Sequence, residues 1–382
     1  MTGLAAVALV ATAFAGPAQA LDDGDSSAPV HPATKAAIDA AVQAGIPGIT
    51  SEARDASGTW KYASGVGNRT TGAARGKSDR FRIGALTNSF VATVLLQMEG
   101  EKKLSLDDTV EKYLPGVVTG NGNDGSKITV RQLLNHTSGL YDYLADVAYY
   151  EKYTVGDGFL QHRYDTVTPQ QRLAVAFSHA PQFTPGARHS FSHTNDLLAA
   201  LIVQKVAGTS YETQVRKRVI EPLALTSTSN PGTSSTVPQP SGRGYSKIFF
   251  STQPDRIDDV TEFNASQMWG DGDMISSAAD INRFYKALMG GKLLPAQQLA
   301  ELKTTVVNPD LPISSYGLGV EKLDLPCGTT IWYHDGGALG SLTLAAFSED
   351  GRHELTFNYN GDWDASGLLP ILSAEFCPTT AG

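Results

Sequence analysis

Apolar side chains recur along this chain with two different periods, which divide it into three stretches. From Pro32, the residues Ala37, Ile38, Ala41 and Val42 fall on one helical stripe, which Gly45 and Pro47 stop. Short β-like segments follow around Gly48-Ile49-Thr50 and Thr59-Trp60-Lys61-Tyr62. The turn-forming run Asp55-Ala56-Ser57-Gly58 separates them, so the pattern predicts an antiparallel pair. From Phe90 to Leu288 the helical period dominates and predicts helices over 89–99, 130–134, 168–176, 194–206 and 278–289. β-like patterning returns over 330–333, 341–347 and 354–359, the last two joined by Ser348-Glu349-Asp350-Gly351. A final helix is predicted over 363–375, and Pro231 to Arg243 reads as an exposed loop.

This order predicts an α+β fold, with an antiparallel sheet flanked by terminal helices and an all-helical lobe beside it. The expected domain covers 32–382, with an α/β lobe from 32–80 and 292–382 and a helical lobe from 81–291. A ligand site is expected in the crevice between the lobes.

Charge narrows the partners. The 382 residues carry a formal net charge of −9 and no clustered Lys/Arg run, which excludes a phosphate-binding surface for nucleic acid. The N-terminus has an apolar run from Leu4 to Phe14 and then Ala18-Gln19-Ala20, the small-x-small form of a cleavage site. A signal peptide over 1–20, a secreted protein and a mobile tail over 21–31 are therefore expected. The apolar run is shorter than the ~20 residues a bilayer span needs, so no membrane insertion is expected. The chain has two cysteines, Cys327 and Cys377, and export would pair them. Closing that loop stabilises by roughly 4 kcal/mol on the chain-entropy estimate. Two cysteines cannot build a Cys-rich metal site, no cofactor is expected, and the chain is expected to be a monomer with a small-molecule or peptide ligand.

Several segments occur in a telling order: Phe81-Arg82-Ile83-Gly84, the run from Ile128 to Leu140 containing Asn135-His136-Thr137-Ser138-Gly139, Pro185-Gly186 before Phe191-Ser192, and Gly270-Asp271-Gly272-Asp273-Met274-Ile275-Ser276-Ser277 followed by Asp280. Together they resemble the serine β-lactamase and D-alanyl-D-alanine carboxypeptidase family, nearest to the class C-type enzymes. In that family a serine at a helix N-terminus attacks an amide or lactam carbonyl, and a lysine one turn later on the same face helps remove its proton.

The resemblance implies that Ser-x-x-Lys falls on Ala85-Leu86-Thr87-Asn88, so neither half of the dyad is present. Tyr-x-Asn is matched to His193-Thr194-Asn195, and the Lys/His-Thr/Ser-Gly strand to His334-Asp335-Gly336. A carboxylate at Asp335 is expected to repel an acidic ligand unless that ligand brings a proton or a cation. Thr87 lies about 200° around the helix from Ala85, and Ser89 sits a turn deeper, so neither is expected to replace the nucleophile.

Three functional readings follow. The first is a non-acylating protein that keeps an amide- or peptide-binding cleft lined by Ala85, Asn88, Thr194, Asn195, Trp269, Tyr316, Asp335 and Gly336. The second is a repurposed enzyme in which His193, with His334, performs acid/base chemistry such as hydrolysis, isomerisation or cyclisation. The third is an interaction module without a small-molecule site. A His193, His334 and Asp335 metal set is a further possibility, and His136 and His189 are expected to be structural.

Overall fold

The computed structural model describes residues 30–377; the expected signal peptide and most of the expected tail lie outside the described residues. Helix α1 (Pro32–Gln43) starts with proline at its first position, where the missing N–H costs nothing. The hairpin of β1 (Gly48–Asp55) and β2 (Gly58–Gly65) turns between Asp55 and Gly58, as the turn residues predict. Near the other end lie β3 (Val306–Val307), β4 (Ser314–Tyr316), β5 (Glu321–Asp324), β6 (Thr330–Ala338), β7 (Ser341–Phe347) and β8 (Glu354–Tyr359). They join the hairpin in one antiparallel sheet of order β2-β1-β8-β7-β6-β5-β4-β3, so both chain ends share it as expected.

The sheet is buried on both faces, and β7 shows why its sequence is almost uniformly apolar. Leu344 and Ala346 face α1 and the C-terminal helix α9 (Leu368–Phe376), while Ala345 and Phe347 face the helical lobe. Ile38, Ala41, Ile371 and Leu372 close the first layer. Each such burial contributes roughly 1.5–3 kcal/mol. The second layer centres on α2 (Leu86–Gly100), against which α7 (His193–Ala207) and α8 (Ala278–Met289) pack. Helices α3 (Val130–Leu134), α4 (Val147–Tyr153), α5 (Gly156–His162) and α6 (Pro169–Phe177) complete the part of the lobe that matters for the site. Capping boxes at Thr129 and Thr168 fix the starts of α3 and α6.

The final helix begins at Leu368, five residues later than predicted, because Asp364 accepts from the Ser366 N–H and holds a turn there. Cys327 and Cys377 form the expected disulfide, which ties the β5–β6 turn to the end of α9.

His31 does not belong to the tail in which the sequence places it. Its Nδ1 lies 3.0 Å from the buried Glu375 carboxylate, and its ring stacks on Trp60. Glu375 also meets His353 at 2.7 Å and accepts from the Thr34 hydroxyl at 2.6 Å, so one carboxylate ties α9 to α1 and to the residue before β8. Burial alone would raise this carboxyl, yet the hydrogen bonds from His31, His353 and Thr34 hold it at about 2. The hydrogen bond to Glu375 raises the His31 pKa.

Glu375 thus adds stability above its ordinary value of 4.5, lost as pH falls toward 2; His31 adds stability below 6.5, lost as pH rises through its raised folded value. Both contributions coincide between 4.5 and 6.5. His31→Ala is therefore expected to cost about 1 kcal/mol more at about pH 5.5 than at about pH 9 in chemical denaturation. An equal cost at both pH values contradicts the ion-pair account.

Candidate functional site

A two-residue strand pair, Phe81–Arg82 against Ile275–Ser276, delivers the chain to the start of α2. Gly84 then turns with φ of +55°, a conformation that favours glycine, and Ala85 caps the helix. Across from it runs β6. A β-carbon at Gly336 would sit 2.7 Å from the Ala85 nitrogen, and one at Gly84 would sit 2.5 Å from the Gly337 oxygen. Only glycines let these two backbones meet.

Strand β5 covers β6 from Thr330 to Tyr333 and then stops, leaving the edge of the remaining β6 residues open. That open edge, the Ala85 turn and the start of α7 enclose a cleft of about 1000 Å³. Ala85, His193, Tyr316, His334, Asp335 and Gly336 all line it, so six of the ten residues expected from sequence meet there.

The other four do not line it. Thr194 is buried, with its hydroxyl donating to the Tyr141 carbonyl at 2.7 Å. Asn195 is also buried, bonded to the Ser138 hydroxyl at 2.5 Å and to His136 Nδ1 at 3.1 Å. Both face the helix packing because α7 starts at His193 and turns them inward. The two residues that reach the cleft with a one-residue gap are Phe191 and His193. Trp269 donates its indole N–H to Glu212 at 2.6 Å and packs edge-on against Tyr211, away from the cleft. Asn88 lies one turn below Ala85, 3% exposed, and neither its amide nitrogen nor its amide oxygen has a partner.

The hydroxyls beside Ala85 are engaged elsewhere, as expected. Thr87 accepts from the Met274 N–H at 3.4 Å, and Ser89 donates to the Gly319 carbonyl at 2.5 Å beside Tyr285. Among the lining residues the one serine is Ser246, beside Lys247 in the sequence, and it lines the cleft with Asp362 and Trp363.

His193 is a cation on the helical wall of the cleft. Its Nδ1 lies 3.0 Å from Asp142, and although burial opposes charging, the Asp142 charge and hydrogen bond raise its pKa to about 9. It is an imidazolium at neutral pH. His334 behaves oppositely: burial lowers its pKa. Its Nδ1 donates to the Asp335 carbonyl at 2.6 Å and its Nε2 accepts from Tyr316 at 2.9 Å, so no ring nitrogen remains for a ligand. Among the described residues no three His, Cys, Asp or Glu side chains converge as a metal set, so His193, His334 and Asp335 do not form one.

His136 is fully buried and structural, accepting from the Ser192 N–H at 3.3 Å. His189 holds the Asn135 carbonyl at 3.1 Å while its ring stacks on Tyr316 at the cleft wall.

Sequence reasoning missed much of the lining. Tyr143 donates to Asp271 at 2.5 Å, and Arg172, buried, pairs with the same carboxylate at 3.1 Å. Tyr149, Tyr150 and Tyr153 come from α4, with Phe263 and Met268 opposite. The tyrosine spacing between Tyr143 and Tyr153 was the available signal.

With this geometry in place, the comparisons with known proteins fall into line. The Beta-lactamase family matches residues 34–356, and the chain belongs to that family. It is 27% identical over 239 residues to the putative penicillin-binding protein PbpX of Bacillus subtilis (strain 168), covering 63% of this chain and 52% of that protein. It is 25% identical to penicillin-binding protein 4* of the same organism, covering 77% of this chain and 63% of that protein. The chain thus spans between half and two thirds of the length of these curated relatives. The crystal structure of a D-stereospecific amidohydrolase from Streptomyces sp. is 47% identical with a TM-score of 0.86, covering 92% of this chain and all of that one. The D-amino acid amidase from Ochrobactrum anthropi SV3, complexed with L-phenylalanine, is 24% identical with a TM-score of 0.77, covering 90% of this chain and 98% of that one, and shows the shared fold.

The Asp142 contact is the largest influence raising the His193 pKa, ahead of the Asp271 and Asp196 charges, so Asp142→Asn is expected to lower it from about 9 toward 6.5 in an NMR titration. A value that stays near 9 removes Asp142 as the cause.

Proposed function

We propose that this protein binds an amide- or peptide-like ligand in the cleft without forming an acyl-enzyme. The observation that carries this is the methyl group of Ala85 at the helix start, where the family's attack requires a hydroxyl. Asn88 supplies a neutral amide one turn later, and in the register that reaches the cleft Phe191 offers a ring without a phenolic hydroxyl. Loss of the nucleophile of a serine hydrolase lowers turnover on the order of 10⁶-fold, and further losses in the same unit add little.

The kept cleft supports ligand binding over a role as an interaction module alone. The 47% identity to a D-stereospecific amidohydrolase supports a D-amino-acid amide or similar small amide as the ligand class. We also infer export through cleavage after Ala20, which the Cys327–Cys377 disulfide supports. N-terminal sequencing of the released protein tests it, and an intact Met1 on that product overturns it.

A second reading has His193 as an acid/base group, favoured by its place on the cleft wall beside Asp142. Its raised pKa makes it a proton donor at neutral pH and a base only above about 9. His334 is not its partner, since both ring nitrogens are taken. An activity on any small amide that survives His193→Ala unchanged retires this reading.

The main test is intact-mass analysis after incubation with a fluorescent penicillin. The native protein is expected to show no adduct, while Ala85→Ser combined with Asn88→Lys, Phe191→Tyr and Asp335→Thr, the last to admit the penicillin carboxylate, is expected to gain one. Stoichiometric labelling of the native chain overturns the proposal.

A further inference from the structure

The sheet-side wall of the cleft carries a carboxylate that the protein leaves unanswered. Asp335 lies on the open edge of β6, half-buried, and among the described residues no Lys or Arg pairs with it and no side chain donates to it. Glu321 is the cross-strand neighbour of Tyr333, so it shares a face with Asp335, two residues further along β6. Both carboxyls line the cleft. Glu321 is buried, accepts from Tyr333 at 2.7 Å and Ser314 at 3.1 Å, and has no cationic partner. Burial raises the pKa of each, and for Glu321 the Asp335 charge adds to the effect.

Two ionised carboxyls on one face with no cation beside them are costly, so together they retain a proton unless a ligand brings a positive charge. The lining lysine, Lys247, sits over the Trp363 ring on another wall, and His193 is already neutralised by Asp142.

A second, independent feature lies in the same cleft. Tyr149 is 7% exposed, its hydroxyl has no partner, and Tyr143 and Tyr153 flank its ring. Phe263 and Met268 line the same space. A buried phenol without a partner loses the water it would hold when exposed, so this wall fits an aromatic or aliphatic group carrying a polar atom.

Resting on the reading of a non-acylating amide-binding cleft, we propose that Asp335, seconded by Glu321, is the charge selector of the site: it admits ligands with an ammonium beside the amide and an aromatic group for the tyrosine wall, and rejects those with a carboxylate. The family resemblance places a carboxylate-binding hydroxyl at this position; the aspartate inverts the preferred charge. The β6 edge beyond Tyr333, which no strand covers, lines the same cleft and suits the ligand's amide.

Isothermal titration calorimetry with three probes tests this: D-phenylalanine amide (cationic), N-acetyl-D-phenylalanine amide (neutral) and N-acetyl-D-phenylalanine (anionic). The native protein is expected to bind the cation roughly tenfold tighter than the neutral probe and the anion weakest, as one desolvated ion pair predicts. Asp335→Asn, an isosteric change, is expected to erase the preference for the cation, and Asp335→Thr to bring the anion level with the neutral probe. Equal binding of all three to the native protein, or a ranking unchanged in Asp335→Asn, overturns the selector while leaving the binding cleft intact. No binding of any probe to the native protein overturns both.

Discussion

The backbone of Gly336 and Gly337 lies against the Ile83–Ala85 turn at a separation that a side chain at Gly336 or Gly84 would not permit, and the site depends on that contact. It holds the open edge of β6 beside the N-terminus of α2. Neither partner is free to move, because β6 is hydrogen-bonded to β7 along its length and α2 is buried on nearly every side. The cleft thus follows from how β6 meets the start of α2, with the Ala85 side chain on its wall. A methyl group at position 85 sits in this frame where the proposed reading needs a nucleophile to be missing.

This explains why so much of the fold is legible in the amino-acid pattern while the site is legible only in part. The long amphipathic α8 carries a strong periodic signal and the doubly buried β7 an apolar run, and both fall where the pattern places them. The cleft wall does not. Tyr149 and Tyr153 sit on a seven-residue helix too short to show a period, and β4 and β5 are strands of three and four residues. The register of the second motif fails for a related reason: Asn195 matches the expected residue type, yet the helix start turns it toward Ser138 and His136, leaving Phe191 and His193 at the cleft. A residue's type suggests chemistry, but the helix phase decides whether it is reachable. His31 shows the converse, since nothing in the local sequence marks the contact with Glu375, 344 positions away.

Electrostatics divides the cleft into two sides with different duties. On the helical side, Asp142 holds His193 as an imidazolium, and Arg172 matches Asp271, so those charges are internally balanced. On the sheet side, Asp335 and Glu321 have no such balance, and burial holds both pKa values up. A ligand that supplies the missing positive charge gains more from the sheet side than from the helical side. On the proposed reading, this arrangement serves reversible recognition of an amide.

The most direct measurement of that account follows heat and ammonia in the same sample, with native protein and a large excess of D-phenylalanine amide. A saturable one-to-one heat with ammonia release no faster than in buffer is the predicted outcome. Ammonia released catalytically, many equivalents per protein molecule, contradicts it and returns the chain to the ranks of working hydrolases.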